Sequence, residues 1–222
     1  MAKSNIIKEL VNGKDNIEDA LNRLLVIAYE IDNEKLVEWV KHELNGYPDD
    51  ANIPEYRECI CANFIYTGIK GNLKIENAPL MLQNILEKDS YEKIIKLNLT
   101  QGITSTPKQD VYKDCTYLAD FVYENDRTNY ISISQIIPRY TFENIRGQIK
   151  TILIEIMLKL EKEYGNLDSL DIDTSSKTKE EIEAINTTVI NYIFNDNSIT
   201  IGNDNNIKNS DILTGGDNNE QE

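Results

Sequence analysis

The chain has 222 residues, 40% of them hydrophobic, which suits one domain of ordinary size with an appendage, or two small domains. This apolar content excludes a wholly disordered chain and a collagen-like one. The formal net charge is −15, from 38 acidic and 23 basic side chains. Because surfaces that bind phosphates need clustered positive charge, this balance argues against nucleic acids and anionic membranes as partners.

Three amphipathic helices are predicted at the start of the chain. Ser4 is a predicted N-cap for a short helix that Gly13 ends, and Asn16 is the predicted N-cap of a second helix. Asn33 is the predicted N-cap of a third helix, which ends at Gly46, where a left-handed residue is favoured.

From residue 57 the hydrophobic period changes from helical to alternating. Residues 59–66 are predicted as a strand, and Gly71 and Asn72 form the turn before a second strand. Pro79 is predicted to begin a short helix that runs to Leu86, because proline favours the first helical turn.

The part of the chain between Leu86 and the late helix contains further short predicted elements. Residues 94–99 fit either a strand or a helix end, and residues 117–123 and 130–137 are predicted to be extended because they are β-branched and aromatic. Thr141 then caps a long predicted helix that runs to Tyr164. The predicted fold class is therefore α+β: N-terminal helices, a central block of short strands, and a long C-terminal helix.

The composition changes after Gly165. Residues 165–222 hold twelve acidic and three basic side chains. We therefore predict an α+β domain over residues 1–165, an acidic linker and helix over 166–188, and a small Asn/Asp-rich β-type oligomerisation tail over 189–222.

In this tail, isolated isoleucines alternate with turn-forming Asn, Asp and Gly. A strand so short is not stable alone, so one interpretation is a β-type assembly completed by other copies of the chain. The second interpretation is a disordered, solvating tail. A calcium-binding repeat is a third, although the regular glycine pattern of such repeats is missing. The first predicts a homo-oligomer whose contacts are made by Ile199, Ile201, Ile207 and Ile212.

Catalytic signals are few. The single histidine, His42, lies between charged neighbours, which predicts a solvent-facing residue and not a general base. Schemes with Ser/His/Asp or Cys/His would all need this imidazole. Asp49 and Asp50 are adjacent in a predicted loop and are interpreted as loop residues. We predict no catalytic, cofactor-binding or metal-binding residue, and expect no cofactor.

The cysteines and the N-terminus suggest a compartment. Cys59, Cys61 and Cys115 are an odd set without a disulfide framework, which favours reduced, structural thiols. The N-terminus has no unbroken apolar stretch of the kind that signal peptides carry, and no apolar run approaches the roughly 20 residues that span a bilayer. We therefore expect a cytoplasmic protein without a membrane span.

Several segments together resemble the AbiTii family. They lie in the N-terminal helices, just before the first strand, and in the late helix: residues 21–30 (LNRLLVIAYE), 36–40 (LVEWV), 43–48 (ELNGYP), 54–57 (PEYR), 145–149 (IRGQI) and 158–163 (LKLEKE). The resemblance covers about residues 1–165, with a less similar middle.

This resemblance implies bacterial resistance to phage of the abortive-infection type, and it brings no catalytic residues. Two classes of function remain open. The first is a non-enzymatic defence protein that oligomerises and senses or titrates a phage component, with a phage protein as its possible trigger. The second is a small toxin enzyme, such as a metal-dependent nuclease, although the absence of phosphate-binding basic clusters and the single histidine argue against it.

Overall fold

The computed structural model of the protein describes residues 3–12 and 17–194, with backbone alone for 124–126. The predicted α+β class is confirmed. The helices are α1 (Asn5–Val11), α2 (Ile17–Glu30), α3 (Glu34–Asn45), α4 (Lys88–Ile95), α5 (Ala119–Asp126), α6 (Arg139–Tyr164) and α7 (Lys179–Phe194). The strands are β1 (Glu58–Ile60), β2 (Phe64–Lys70), β3 (Leu73–Pro79), β4 (Lys96–Asn98), β5 (Val111–Asp114) and β6 (Asn129–Ile137).

The strands form two antiparallel sheets. β1 pairs with β4, and the four-stranded sheet has the order β3-β2-β6-β5. One face of the larger sheet contributes Phe64, Tyr130 and Ile133 to a small core that α5 closes with Val122. The predicted turn at residues 71 and 72 joins β2 to β3 as expected.

The main core lies among the helices and the two-stranded sheet. Helix α6 runs through it, because its apolar residues recur at the 3.6-residue period over its whole length. The residues of α6 that are buried in this way are Phe142, Ile145, Ile149, Ile152, Leu153, Ile156, Met157 and Leu160. Helices α1, α2, α3 and α7 pack around it, and the family-like segments at both ends of the chain thereby meet in one core.

The helix termini follow the predicted signals in part. Asn33 caps α3, because its side chain accepts a hydrogen bond of 3.0 Å from the Leu36 amide. Ser4 precedes α1, yet its hydroxyl does not bond to that helix: it donates to Glu161 and accepts from the Leu167 amide. Gly13 and Asn16, the other predicted end signals, lie outside the described residues.

Three local predictions in the middle of the chain are wrong. Residues 59–66 are not one strand, because β1 ends at Ile60 and β2, which lies in the other sheet, begins at Phe64. Pro79 does not begin a helix but ends β3, an edge strand, where a missing amide hydrogen costs no ladder bond. Residues 117–123 are not extended: most of them lie in α5, and Leu118, just before that helix, and Val122, within it, face the small core. The aromatic residues Tyr117 and Phe121 are exposed and do not pack in a sheet, so the prediction of a strand from their β propensity is wrong.

The long helix begins at Arg139, after Pro138, and not at Thr141. It ends, as predicted, before Gly165, whose positive φ of 89° suits a glycine. Between residues 94 and 99 both alternatives occur, because α4 ends at Ile95 and β4 follows directly.

The chain after Gly165 shares the main core. Leu167 and Ile172 are buried in the connection, and α7 buries Ile185, Val189 and Ile193 against the rest of the helices. Residues 189–194, assigned above to the β-type tail, are therefore helical, because these three apolar residues lie four apart on one helix face. The rest of the predicted tail, with Ile199, Ile201, Ile207 and Ile212, lies outside the described residues.

Candidate functional site

A buried ion pair lies where α3 meets the segment before β1. Glu43, on the core side of α3, is fully buried, and Arg57 is 2% exposed. The Arg57 guanidinium donates from Nη2 to Glu43 Oε2, and from Nε to Oε1 at 3.1 Å. Both carboxylate oxygens are thus bound by one planar guanidinium, the geometry in which arginine binds a carboxylate most strongly.

Two tyrosines complete the carboxylate's hydrogen bonds. The hydroxyls of Tyr47 and Tyr56 each donate to Glu43 Oε1 at 2.6 Å. Tyr56 in turn accepts a bond of 2.9 Å from the indole of Trp39, the single tryptophan, and the Arg57 guanidinium lies 4.8 Å from the centre of the Tyr47 ring. We call these five residues the Glu43 cluster.

The cluster also holds a more distant part of the chain. Arg57 Nη1 donates to the carbonyls of Leu99 and Gln101, each at 2.8 Å. Beside it the backbone of Gly102 approaches α3 so closely that a Cβ there would lie 2.4 Å from the Leu44 carbonyl oxygen. Gly46 has a φ of 104°, so it needs to be glycine for its conformation.

The protonation states of the cluster follow from its burial. Burial, and then the charge of Glu43, raise the pKa of Tyr47 and of Tyr56 above the ordinary tyrosine value. Burial by itself lowers the pKa of Arg57, but the hydrogen bonds and charge of Glu43 outweigh this effect and raise it. Both tyrosines therefore stay hydrogen-bond donors and Arg57 stays charged, so the cluster is a neutralised, fully engaged structural unit.

An open groove follows the outer side of α3. Its larger part, about 640 Å³, lies between α3 and the end of α2, and its smaller part, about 280 Å³, lies between α3 and the end of α7. Lys35, Glu38 and His42 line both parts. We call the two parts together the α3 groove; its other charged or polar lining residues are Tyr29, Asp32, Asn33, Glu34, Lys41, Tyr47, Asn52 and Asn186, and Trp39 lines the smaller part.

Two side-chain amides in the wall of the groove are incompletely bonded. Asn33 is 5% exposed; its Oδ1 accepts the α3 cap bond, while its Nδ2 has no partner. Asn186, on α7, donates from Nδ2 to the Ile31 carbonyl at 3.3 Å, while its Oδ1 has no partner. The bonds that are made fix the orientation of each amide, so the wall holds one unused donor and one unused acceptor.

The structure places the other singled-out residues as follows. His42 is half-buried, with its ring centroid 5.0 Å from that of Tyr47, so it is less exposed than predicted. Asp49 and Asp50 are exposed in a turn. The Cys59 and Cys61 sulfurs lie 3.4 Å apart, and burial, then the bond with Cys61, raise the pKa of Cys59 to about 12.

Sequence reasoning missed the Glu43 cluster as a structural unit. Its residues lie in the family-like segments 36–40, 43–48 and 54–57, but nothing in the sequence predicts that they contact one another. One signal was available: an acidic residue on the apolar side of a helix, followed four residues later by tyrosine, indicates a buried carboxylate that needs donors.

Within residues 3–12 and 17–194, no group of three or more His, Cys, Asp or Glu side chains is placed to hold a metal ion. In the same residues, each helix is too short or too polar to cross a membrane.

A family model described as AbiTii matches residues 4–187, which include α1 through most of α7 and the whole Glu43 cluster. The protein belongs to the AbiTii family. This membership suggests an abortive-infection phage defence protein. Searches of the curated proteins and of the solved structures found no significant match.

Proposed function

We propose that the protein defends bacteria against phage by abortive infection, as a non-enzymatic sensing and assembly protein. The observation that carries the defence role is the family match over residues 4–187. The match includes the residues that build the Glu43 cluster, so it extends to the residues that hold the core together.

The arrangement of charged groups supports a binding role over a catalytic one. The most buried charges, Glu43 and Arg57, are fully paired with each other and with neighbouring donors. The α3 groove is open and lined by charges of both signs, a surface that suits contact with a macromolecule. The assembly part of the proposal rests on the tail residues Ile199, Ile201, Ile207 and Ile212, which would pair with their copies in other subunits.

A phage challenge tests the defence role. Cells that carry the gene, and cells that carry it with an early stop codon, are infected at low and at high ratios of phage to cells. Abortive infection predicts survival of the culture at the low ratio and growth arrest without a phage burst at the high ratio. Equal plaque numbers on both strains across a phage panel would contradict the proposal, and sequencing of escaper phages would identify the trigger.

A separate assay tests the non-enzymatic part. The purified protein is incubated with RNA, DNA and nucleotides in the presence of Mg²⁺ or Mn²⁺, and we expect no turnover. Reproducible turnover that co-purifies with the protein would replace this part of the proposal by the toxin-enzyme hypothesis and leave the defence role standing.

A further inference from the structure

Two residues that line the larger part of the α3 groove each have one side-chain atom that the fold does not use. Asn33 Nδ2 is a donor and Asn186 Oδ1 an acceptor, and both are buried without a partner. A buried polar atom without a partner destabilises a fold, so two such atoms on residues that line the same groove call for an explanation. A main-chain amide, with one C=O and one N–H, complements this pair.

The charges of the groove narrow the class of ligand. Three carboxylates, on Asp32, Glu34 and Glu38, line the larger part against two ammonium groups, on Lys35 and Lys41. The whole protein carries a net charge of −15, so its long-range field attracts cations. A phosphate-bearing ligand is disfavoured by this lining. Residues 195–222 of the protein itself are also disfavoured as the occupant of the groove, since they contain six acidic side chains and one basic one.

We propose that the α3 groove binds an extended polypeptide segment of a partner protein that carries basic side chains. Its main chain would donate to Asn186 Oδ1 and its carbonyl would accept from Asn33 Nδ2, while a basic side chain pairs with Glu34 or Glu38. Both amide atoms are covered in the free groove, so binding requires α7 and the turn before α3 to part slightly. That the segment comes from a phage protein rests on the proposed function; that the groove binds it does not.

The heat of binding, measured by isothermal titration calorimetry, provides the readout, because it reports occupancy of either part of the groove. The full-length protein is titrated with acetyl-Ala-Lys-Ala-Ala-Lys-Ala-amide, with the same peptide carrying Glu in place of Lys, and with AMP. We expect a saturable change with the lysine peptide at low salt, and binding at least about tenfold weaker for the glutamate peptide and for AMP.

Variants locate the binding. Glu38→Gln removes one exposed carboxylate of the groove, and Asn186→Ala removes the unused acceptor; we expect each to weaken lysine-peptide binding about three- to tenfold. Glu87→Gln, an exposed carboxylate outside the groove, is the matched control and should leave it unchanged. The proposal is overturned by tighter binding of AMP, by equal binding of the two peptides, by equal effects of Glu38→Gln and Glu87→Gln, or by the absence of any saturable change up to about 5 mM peptide.

The same variants separate this inference from the defence role. Loss of phage protection in the Glu38→Gln strain, with protection retained in the Glu87→Gln strain, would support the groove as the sensing site. If the unaltered gene gives no protection while the lysine peptide still binds as expected, the proposed function fails and the groove assignment stands.

Discussion

At the scale of single residues, the Glu43 cluster shows how a charged group is kept in an apolar core. Two ions leave water only at a cost of several kcal/mol each, and their attraction compensates for this only where further bonds satisfy the remaining lone pairs and protons. Here Tyr47, Tyr56 and the carbonyls of Leu99 and Gln101 provide those bonds. The cluster therefore specifies one arrangement of α3, β1 and residues 99–101.

Removal of one partner tests this account. Glu43→Gln leaves the Arg57 charge buried beside a neutral amide, so we expect the free energy of unfolding to fall by about 3–5 kcal/mol. Glu38→Gln, on the exposed side of the same helix, should change it by no more than about 0.5 kcal/mol. Urea denaturation measures both. Equal midpoints for Glu43→Gln and the unaltered protein would show that the pair is not needed for stability.

The close approach of Gly102 to α3 gives a second prediction, with an internal control. Gly102→Ala places a methyl group against fixed backbone atoms of residues 44–46, so we expect a loss of about 2 kcal/mol or more. Gly147→Ala, in the interior of α6 with open space around it, should instead stabilise the protein by about 0.5–1 kcal/mol. Thermal unfolding of the two variants should shift in opposite directions, and shifts in the same direction would count against the packing described.

At the scale of elements, the helices are held together by a few long-range polar contacts as well as by apolar packing. Lys3 Nζ and the Ser4 amide each donate to Glu161 at 2.6 Å, and the Ser4 hydroxyl donates at 2.5 Å, which joins the start of α1 to the end of α6. Burial alone would raise the pKa of Glu161, but these bonds outweigh it and lower the pKa to about 2.

This pKa predicts acid sensitivity of the α1–α6 contact. Because the carboxyl titrates near 4.5 when unfolded, its contribution is complete above that pH and is lost as the pH falls from about 4.5 to about 2. Glu161→Gln should therefore lower stability by about 1–2 kcal/mol at pH 7 and converge on the unaltered protein near pH 2. Glu155→Gln, exposed on the same helix, is the control. A constant difference between Glu161→Gln and the unaltered protein at every pH would contradict the assignment.

Helix α7 and the connection before it carry a further element-scale prediction. Both bury apolar residues in the main core, and each of these residues contributes up to about 1.5–3 kcal/mol to the stability. The residues are Leu167, Ile172, Ile185, Val189 and Ile193. A chain ending at Phe194 should keep the full stability, whereas one ending at Gly165 should unfold at a much lower urea concentration. The change of composition at residue 165 instead predicts that residues 1–165 fold as an independent domain.

Limited proteolysis gives a second measurement of the same contact. We expect cleavage between residues 173 and 178, with the two pieces still associated on size-exclusion chromatography. A free N-terminal fragment with undiminished stability would restore the boundary at residue 165.

The elements differ in how well the sequence predicts them, for physical reasons. Local signals predict the early helices and α6 because apolar period and terminal glycines act within one segment. Pro79, residues 117–123 and residues 189–194 were assigned wrongly because their conformation depends on what packs against them: a strand edge, the small core and the main core. The Glu43 cluster depends on carbonyls 42 and 44 residues beyond Arg57, a distance in sequence over which a single sequence holds no pairing signal.

At the scale of the whole molecule, the charge and the apolar residues of the predicted tail bear on how copies of the chain would associate. Residues 195–222 combine isolated isoleucines with a net charge of −5. If the isoleucines pair between subunits, burial favours association and the concentrated negative charge opposes it, so added salt should strengthen assembly by screening.

Light scattering of three proteins tests this assembly: the full chain, a chain ending at Phe194, and a full chain with Ile199, Ile201, Ile207 and Ile212 replaced by Ser. We expect only the first to associate at micromolar concentration, increasingly with salt, into a closed oligomer. The serine variant keeps the length and charge of the tail, so it isolates the apolar contribution. Monomers in all three samples would exclude assembly through the tail.

The bond between Ser4 and the end of α6 also bears on biosynthesis. The partners of Ser4, Glu161 and Leu167, lie 157 and 163 residues further along the chain, so the ribosome makes them late. At a translation rate of about 5–20 residues per second, these groups are synthesised roughly ten to thirty seconds after α1. During that time its apolar side, with Ile6, Ile7 and Leu10, is available to chaperones that bind nascent chains.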